Sequence, residues 1–533
     1  MRRYLSVLLA LVVGATSAFA TLSASAKTFR WAAQGDYLTA DPHAQNESMT
    51  NSINGQVYES LVVRGKKLEI LPSLAVSWKQ TGANTWIFNL RKGVKFHDGT
   101  PFTADDVVFS IKRAQGDTSN FRVYANAIGE PKKIDDHTIE LTTPVPNPVQ
   151  LEMLAANLYM MSKAWAEKNN SARAQDFKNK EENFAARNAN GTGPFMLVRR
   201  DPDVKTTLKK NPNWWGIKEK RFDGNVTDVV FTPIKNDGTR LAALQSGELD
   251  FVLDPPLQNL EQIKKNPQLK AWEGQEQRVI FFHMDQARDE LLYSNVKGKN
   301  PFKDRRVRQA MYQAIDIEAI KLQVMRGLSI PTGVALPAPT AAGIPAANQA
   351  RLKFDIEAAK KLMAEAGYPN GFEVTLDCPN NRYLNDERIC IAVAGMLAKI
   401  NITVKVNAMP RSTYFAKAEK LDTSFCMLGW GGATTDAIFT LKPVMRGRND
   451  KGAGTYNWGD VKNAKFDALV DQIEGEMDAK KRQAMIVEAI KLYTDEVHVI
   501  PMHRQMIPWA SRSNVSLVHR ADNWIETAWV TIK

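Results

Sequence analysis

At 533 residues with a formal charge of +12, the chain is too long for one hydrophobic core, so two or three domains are expected. Its Lys and Arg are spread among acids, as in residues 178–182 (KNKEE), which argues for a solvated surface and against a nucleic-acid patch. Cys378, Cys390 and Cys426 are too few to hold a chain of this size together, which excludes a disulfide scaffold.

In chain order, the first segment reads as an export signal. Arg2 and Arg3 form a basic start, residues 5–14 a short apolar run, and Ala24-Ser25-Ala26 an A-x-A cleavage site, with residues 18–20 as a second choice. Residues 1–26 are therefore expected to be removed, leaving a charge of +10. The apolar run is too short to span a bilayer, and no Cys near the cleavage site offers a lipid anchor.

Trp86, Phe88 and Leu90 alternate with Ile87 and Asn89, as in a strand with one apolar face. Asp98-Gly99 and Pro101 turn the chain. Thr103 then N-caps a helix, with Asp106 placed to return a near capping box. Residues 143–148 (TPVPNP) read as a linker or surface loop. Gly191-Thr192-Gly193 reads as a backbone turn before a strand. Residues 305–325 are expected to form one helix capped by Asp304, with Val307, Ala310, Met311, Ala314 and Ile315 at helical spacing.

Residues 331–347 are long, uncharged and rich in Pro, Gly and Ala, and again read as a linker or surface loop. Asp355 caps another helix that Gly367 and Pro369 stop. Residues 372–377 read as a strand, 386–399 as a helix, residues 402–409 (ITVKVNAM) as a strand, and 478–494 as a long amphipathic helix. The helix–strand–helix–strand order suits a crossover unit with parallel strands, so the class is mixed α/β.

Several of these stretches resemble a known family. Residues 71–78 (LPSLAVSW) and 86–110 (WIFNLRKGVKFHDGTPFTADDVVFS) are similar to the signature of the large periplasmic solute-binding proteins of peptide- and nickel-type ABC importers. Residues 190–215, 243–252, 300–320 and the Gly429-Trp430 segment follow in the family's order, so the resemblance covers nearly the whole mature chain. It implies a two-lobed periplasmic binding fold with a hinge and an extra domain on the first lobe. Lobe I would hold residues 27–59, 190–278 and 505–533, the extra domain 60–189, and lobe II 279–504. Hinge strands would cross near 279–283 and 499–504. The resemblance also implies a monomeric periplasmic receptor that delivers a small ligand to an inner-membrane ABC permease, and indirectly to its ATPase subunits.

No G-x-S-x-G elbow and no phosphate-binding loop occurs in the sequence. His498 and His503 flank Pro501 at a spacing that fails the helical zinc motif, and the other His are scattered. The reading is therefore a binding protein, not an enzyme, with no metal and no cofactor. An exported hydrolase would need a nucleophile–base pair or a metal cluster.

Arg382 and Tyr383 follow the strand 372–377, at the carboxyl end where α/β sheets bind ligands. The Arg382 guanidinium could hold a carboxylate through two parallel hydrogen bonds. In dipeptide-binding relatives an Arg in this place takes the ligand's terminal carboxylate. The competing structural role is a loop Arg paired with Asp386 or Glu387. Residues 425–438 read as a strand and a Gly-rich loop, with Trp430 as a flat wall and Gly431 allowing close approach. Peptide-binding relatives usually carry an Asp three residues after this Trp, for the peptide's amine. Here Ala433 stands there, and Asp436 lies three residues further as an alternative. In relatives the loop corresponding to residues 45–50 lines the cleft, which points to Asn46, Ser48 and Met49. Cys378 and Cys390 flank the strand-to-helix loop that carries Arg382, and in an exported chain they are expected to pair. The expected ligand is a peptide or modified peptide bearing a carboxylate. A sugar, an opine-like conjugate or a metal chelate is the alternative.

Overall fold

Two long antiparallel strands, Leu269–Met284 and Val499–Arg512, hold the molecule together. The computed structural model describes residues 26–155, 158–338, 340–341, 343–431 and 435–533. Residues 1–25, which carry most of the signal reading, and Ala433 lie outside them.

The long pair runs through the middle of an 11-stranded sheet. On one side the sheet continues through Phe251–Val252, Thr28–Ala33 and Asp228–Pro233. On the other it continues through Phe425–Gly431, Phe372–Pro379 and Ile402–Met409. Phe372–Pro379 and Ile402–Met409 are parallel and joined by the helix Asp386–Leu397, which is the crossover unit read from the sequence. Two cores flank the sheet. One is centred on Phe29, Trp31, Phe231 and Trp509, the other on Phe282, Leu376, Ile389 and Val393. The second reaches into the first half through Ala32, Leu244 and Val252. Burial on both faces explains why residues 279–284 and 425–431 are almost wholly apolar.

The register of the long pair breaks between Gln275 and Val279. Glu276, Gln277 and Arg278 have no ladder partner in that pair, and their side chains are buried. Arg278 Nε lies 2.8 Å from Glu276, whose other oxygen accepts from Gln505 Nε2 at 2.6 Å. A break in pairing is a natural place for the two halves to move against each other.

A separate four-stranded antiparallel sheet uses Ala75–Gln80, Thr85–Leu90, Glu130–Asp135 and Thr138–Thr142. Phe88 and Leu90 are buried and Trp86 is half-buried on the apolar face expected for this strand. The helix Ala104–Gln115 covers the sheet, and its capping box forms, with the Thr103 N–H donating to Asp106 at 2.9 Å. Gly191 and Gly193 press against the Val57 carbonyl, where a Cβ on Gly191 would meet that oxygen at 1.9 Å.

Two expectations need correction. Residues 305–325 are not one helix. The first segment, Arg305–Gln313, ends, and Asp316 caps a new one by accepting from the Ala319 N–H at 3.0 Å, which competes with continuation. A π-turn over Ile320–Val324 follows. Residues 331–347 are not a free linker either. Val334, Ala335 and Leu336 are buried in the largest core cluster, so this part of the stretch is held by apolar packing.

His283 sits on the long strand, and neither ring nitrogen has a hydrogen-bond partner among the described residues. Burial pushes its pKa down to about 3. A His kept neutral in the fold contributes stability that is fully present above its unfolded pKa of roughly 6.5 and is lost as pH falls towards the folded value. His283→Phe should therefore lose less melting temperature than the parent between neutral pH and about pH 4. Identical losses in the two proteins would show that His283 takes no part in the acid response.

Candidate functional site

The cavity between the two halves is built from both sides. From the first half comes the segment that enters the helix Ser48–Val57. Glu47 is its N-cap and accepts from the Thr50 N–H at 2.8 Å, so the cap residue is fixed with its carboxylate at the cleft. Asn46 lines the cavity and accepts from Asn51 Nδ2 at 2.8 Å. Ser48 lines it too and accepts from the Trp524 indole at 3.1 Å. Met49 does not face this cavity. Its sulfur lies 3.5 Å from Arg411 Nη1, so it packs behind the site.

From the second half come Arg382 and Tyr383, on the loop between Phe372–Pro379 and Asp386–Leu397. Cys378 and Cys390 form a disulfide across that loop, with Cα atoms 6.7 Å apart, while the Cys426 thiol is free and buried. Asp386 accepts the backbone N–H groups of Arg382 and Tyr383, each at 2.9 Å. The Arg382 side chain does not pair with Asp386 or Glu387. It crosses the cleft instead, with Nε 2.7 Å from Glu47 Oε1. Arg411 Nη1 approaches the same oxygen at 3.5 Å.

Burial by itself pushes the Glu47 carboxyl upward, but the Arg382 and Arg411 charges and the Thr50 hydrogen bonds outweigh it and hold the pKa down to about 2. The contact between Arg382 and Glu47 is close but badly aimed. Neither Arg382 Nε nor Glu47 Oε1 has a well-directed hydrogen bond among the described residues. The ion pair therefore leaves hydrogen-bonding capacity unused on both sides.

The walls are aromatic. Trp430 packs on Tyr456 with ring centroids 4.7 Å apart, and its indole N–H donates to the Phe439 carbonyl at 2.9 Å. Tyr124 stacks on Phe439 at 5.6 Å. The Tyr456 hydroxyl is buried with no partner among the described residues. Gly431 borders the cavity, but its lack of a side chain serves the scaffold, since a Cβ there would meet the Gln277 carbonyl at 1.6 Å. The remaining void is about 70 Å³. At roughly 15 Å³ of such space per water, that is room for a few waters or a ligand head group.

Asp436 is absent from the lining. Arg482 binds both its oxygens, at 2.6 and 2.8 Å, so this carboxylate is committed to the scaffold and not free for a ligand cation. Glu47, Arg411, Tyr124, Phe439, Tyr456 and Trp524 were not among the sequence candidates. The one local signal was an acid at the cap of a helix in a loop already suspected of reaching the cleft. The described residues contain no cluster of His, Cys, Asp and Glu that could hold a metal, and no helix long and apolar enough to cross a membrane.

Comparison with known proteins decides the family. Residues 69–452 match the model of the bacterial extracellular solute-binding proteins, family 5. The chain belongs to this family. Family 5 proteins are solute-binding proteins rather than enzymes, and the chain is accordingly the substrate-binding component of an ABC importer. Heme-binding protein A of Haemophilus influenzae is 28% identical over 480 residues, 85% of this chain and 82% of that protein. The glutathione-binding protein GsiB of Escherichia coli K12 is 27% identical over 448 residues, 82% of this chain and 81% of that protein. The solved structure of AgaA from A. tumefacien R10, in complex with agropinic acid, superposes with a TM-score of 0.82 at 25% identity, covering 95% of this chain and 99% of that one. This family 5 member thus shares its two-lobed α/β fold with receptors for quite different molecules.

The disulfide offers a direct check on the loop that carries Arg382. On the chain-entropy model, closing a loop of this size stabilises the protein by roughly 3 kcal/mol. A C378A/C390A variant should lose about that much in urea denaturation, and its Arg382 loop should be the first segment to gain hydrogen exchange. Thiol counting on the denatured parent should find one free thiol. Three would rule the bridge out.

Proposed function

We propose that this protein captures a ligand with an amino-acid-like head group, a peptide or modified peptide, and that Arg382 takes its carboxylate. The observation that carries this reading is the Glu47–Arg382 pair facing each other across the cleft. A zwitterionic head group could take both partners at once, its carboxylate on Arg382 and its ammonium on Glu47, and so supply the directed hydrogen bonds that the pair lacks. Glu47 thereby takes the role that the sequence reading had offered to Asp436. Trp430, Tyr456, Phe439 and Tyr124 form the wall for the rest of the ligand.

The ligands named for GsiB and AgaA, glutathione and agropinic acid, both carry carboxylates, which fits the Arg382 role. The second reading is an anionic non-peptide ligand of the agropinic-acid kind, supported by the same arginine. In either case the protein works as an exported monomer in the periplasm, closes on its ligand at the register break of the long strands, and passes the ligand to an ABC permease. Mass spectrometry of what the periplasmic protein releases on denaturation tests this. A carboxylate compound with an amine supports the first reading, and a carboxylate compound without one the second. A ligand with no acidic group overturns both.

A further inference from the structure

A second cavity lies in the first half of the molecule, outside the cleft. It sits between the hairpin Val62–Arg64/Ile70–Pro72, the turn at Trp214 and Trp215, and the C-terminal segment around Trp524 and Trp529. Its volume is about 370 Å³, against about 70 Å³ left in the closed cleft. That falls within the range of roughly 300–1,000 Å³ that small-molecule pockets occupy.

Its lining specifies the chemistry of an occupant. Four indoles border it. The cross-strand pair Val63 and Leu71 also borders it, and each is 37% exposed, which leaves an apolar edge open to solvent. Apart from the exposed Glu69, which accepts only the Lys67 backbone N–H, the charged groups on the same walls are already paired within the protein. Arg64 is bound by Glu152, Lys66 by Asp223 at 2.6 Å, and Arg520 by Asp522 and Glu526. Arg221 lies over the Trp215 ring at 4.7 Å and donates to the Pro72 carbonyl at 2.6 Å. Glu59 accepts from the indole N–H groups of Trp214 and Trp215, at 3.1 and 2.9 Å, and from Thr192 at 2.8 Å. Three of the four indole N–H groups are thus spent inside the protein, because Trp524 donates to Ser48. Besides the Tyr58 hydroxyl and Arg64 Nε, which have no partner among the described residues, the walls offer mainly ring surface, which favours a flat, largely apolar partner over an ion.

We infer that this cavity is a second binding site, for a small uncharged aromatic molecule. Trp524 is shared with the ligand cleft, since it borders both cavities and its indole N–H holds Ser48. The backbone on either side of it is fastened to the helix Ser48–Val57. Gln56 bonds Ile525 O at 2.7 Å and the Thr527 N–H at 3.0 Å, and Ser52 accepts the Ile525 N–H at 3.3 Å. The wall between the two cavities is therefore a rigid one.

The test uses 5-bromoindole, which is flat, uncharged and located by the anomalous signal of bromine. Crystals of the full mature protein grown with it should show bromine between Trp214, Trp215 and Trp529. Ligand-observed NMR should give a dissociation constant below the millimolar range in solution. Val63→Trp and Leu71→Trp each add a large side chain at the open edge, far from the cleft ligands. At least one of them should fold with the parent's melting temperature and weaken 5-bromoindole binding by about tenfold or more. Bromine only in the cleft, no binding in solution, or parental binding by both folded edge variants would overturn the site.

Discussion

Replacing Arg382 by Ala should weaken binding of a carboxylate ligand by at least about a hundredfold, or about 2.8 kcal/mol at roughly 1.4 kcal/mol per tenfold. Two losses combine. The ligand carboxylate loses a guanidinium partner in a closed cleft, where charge-assisted bonds are strong. Glu47 also loses its nearer cation and keeps only Arg411, at 3.5 Å. A buried carboxylate left with a poor partner destabilises the closed form itself. Glu47→Gln separates the two readings of the ligand. A ligand that brings an ammonium group should bind more weakly to the variant, whereas a purely anionic ligand should bind more tightly, because its competitor for Arg382 is gone. The pair should also tolerate acid. The Glu47 pKa is held down to about 2, so its contribution is fully present above its unfolded value of about 4.5 and fades only as pH falls towards about 2. Calorimetry with the co-purified ligand is the measurement. Parental affinity in Arg382→Ala would mean that the acid of the ligand is bound elsewhere.

Arg113→Ala should cost about 3–5 kcal/mol of stability, the range found when one partner of a buried ion pair is removed. Arg113 and Asp41 are both fully buried, and the guanidinium grips the carboxylate with two bonds, at 2.7 and 2.6 Å. Burial pushes the Asp41 carboxyl upward, and Arg113 overcomes it and holds the pKa well below the usual range. Asp41 also accepts the His43 and Gln175 N–H groups, at 3.0 and 2.9 Å. It therefore sets the start of the segment from which Asn46 and Glu47 enter the cleft, so ligand affinity should fall along with stability. Arg113→Met combined with Asp41→Leu should recover much of the stability, because the uncompensated charge is gone. A loss below about 1 kcal/mol in Arg113→Ala alone, measured by urea denaturation, would show that the pair is relieved by water.

Local structure was legible wherever a single stretch of chain carried its own cause. The Thr103–Asp106 box and the caps at Asp304 and Asp355 form as read, since each needs only residues two or three apart. The strands at 372 and 402 and the helix between them follow from apolar period and turn residues. The single helix expected over 305–325 broke because Asp316 could bond its own downstream backbone, a competition that hydrophobic spacing does not report.

The sequence by itself determined the class, the element order, the family resemblance and the approach of Arg382 to the cleft. Tertiary structure alone decided what each charged group faces. Glu47 and Arg382 are 335 positions apart and meet at 2.7 Å, while Asp436, offered through the family resemblance as an alternative to Ala433 for a ligand amine, is taken by Arg482 on a distant helix. The burial of residues 332–337 was hidden for a similar reason, because Pro, Gly and Ala look alike in a loose loop and in a packed one. Periodicity reports that a face is buried, never what it is buried against. Ion pairing depends on which groups the fold brings within a few ångströms, where desolvation and Coulomb attraction compete.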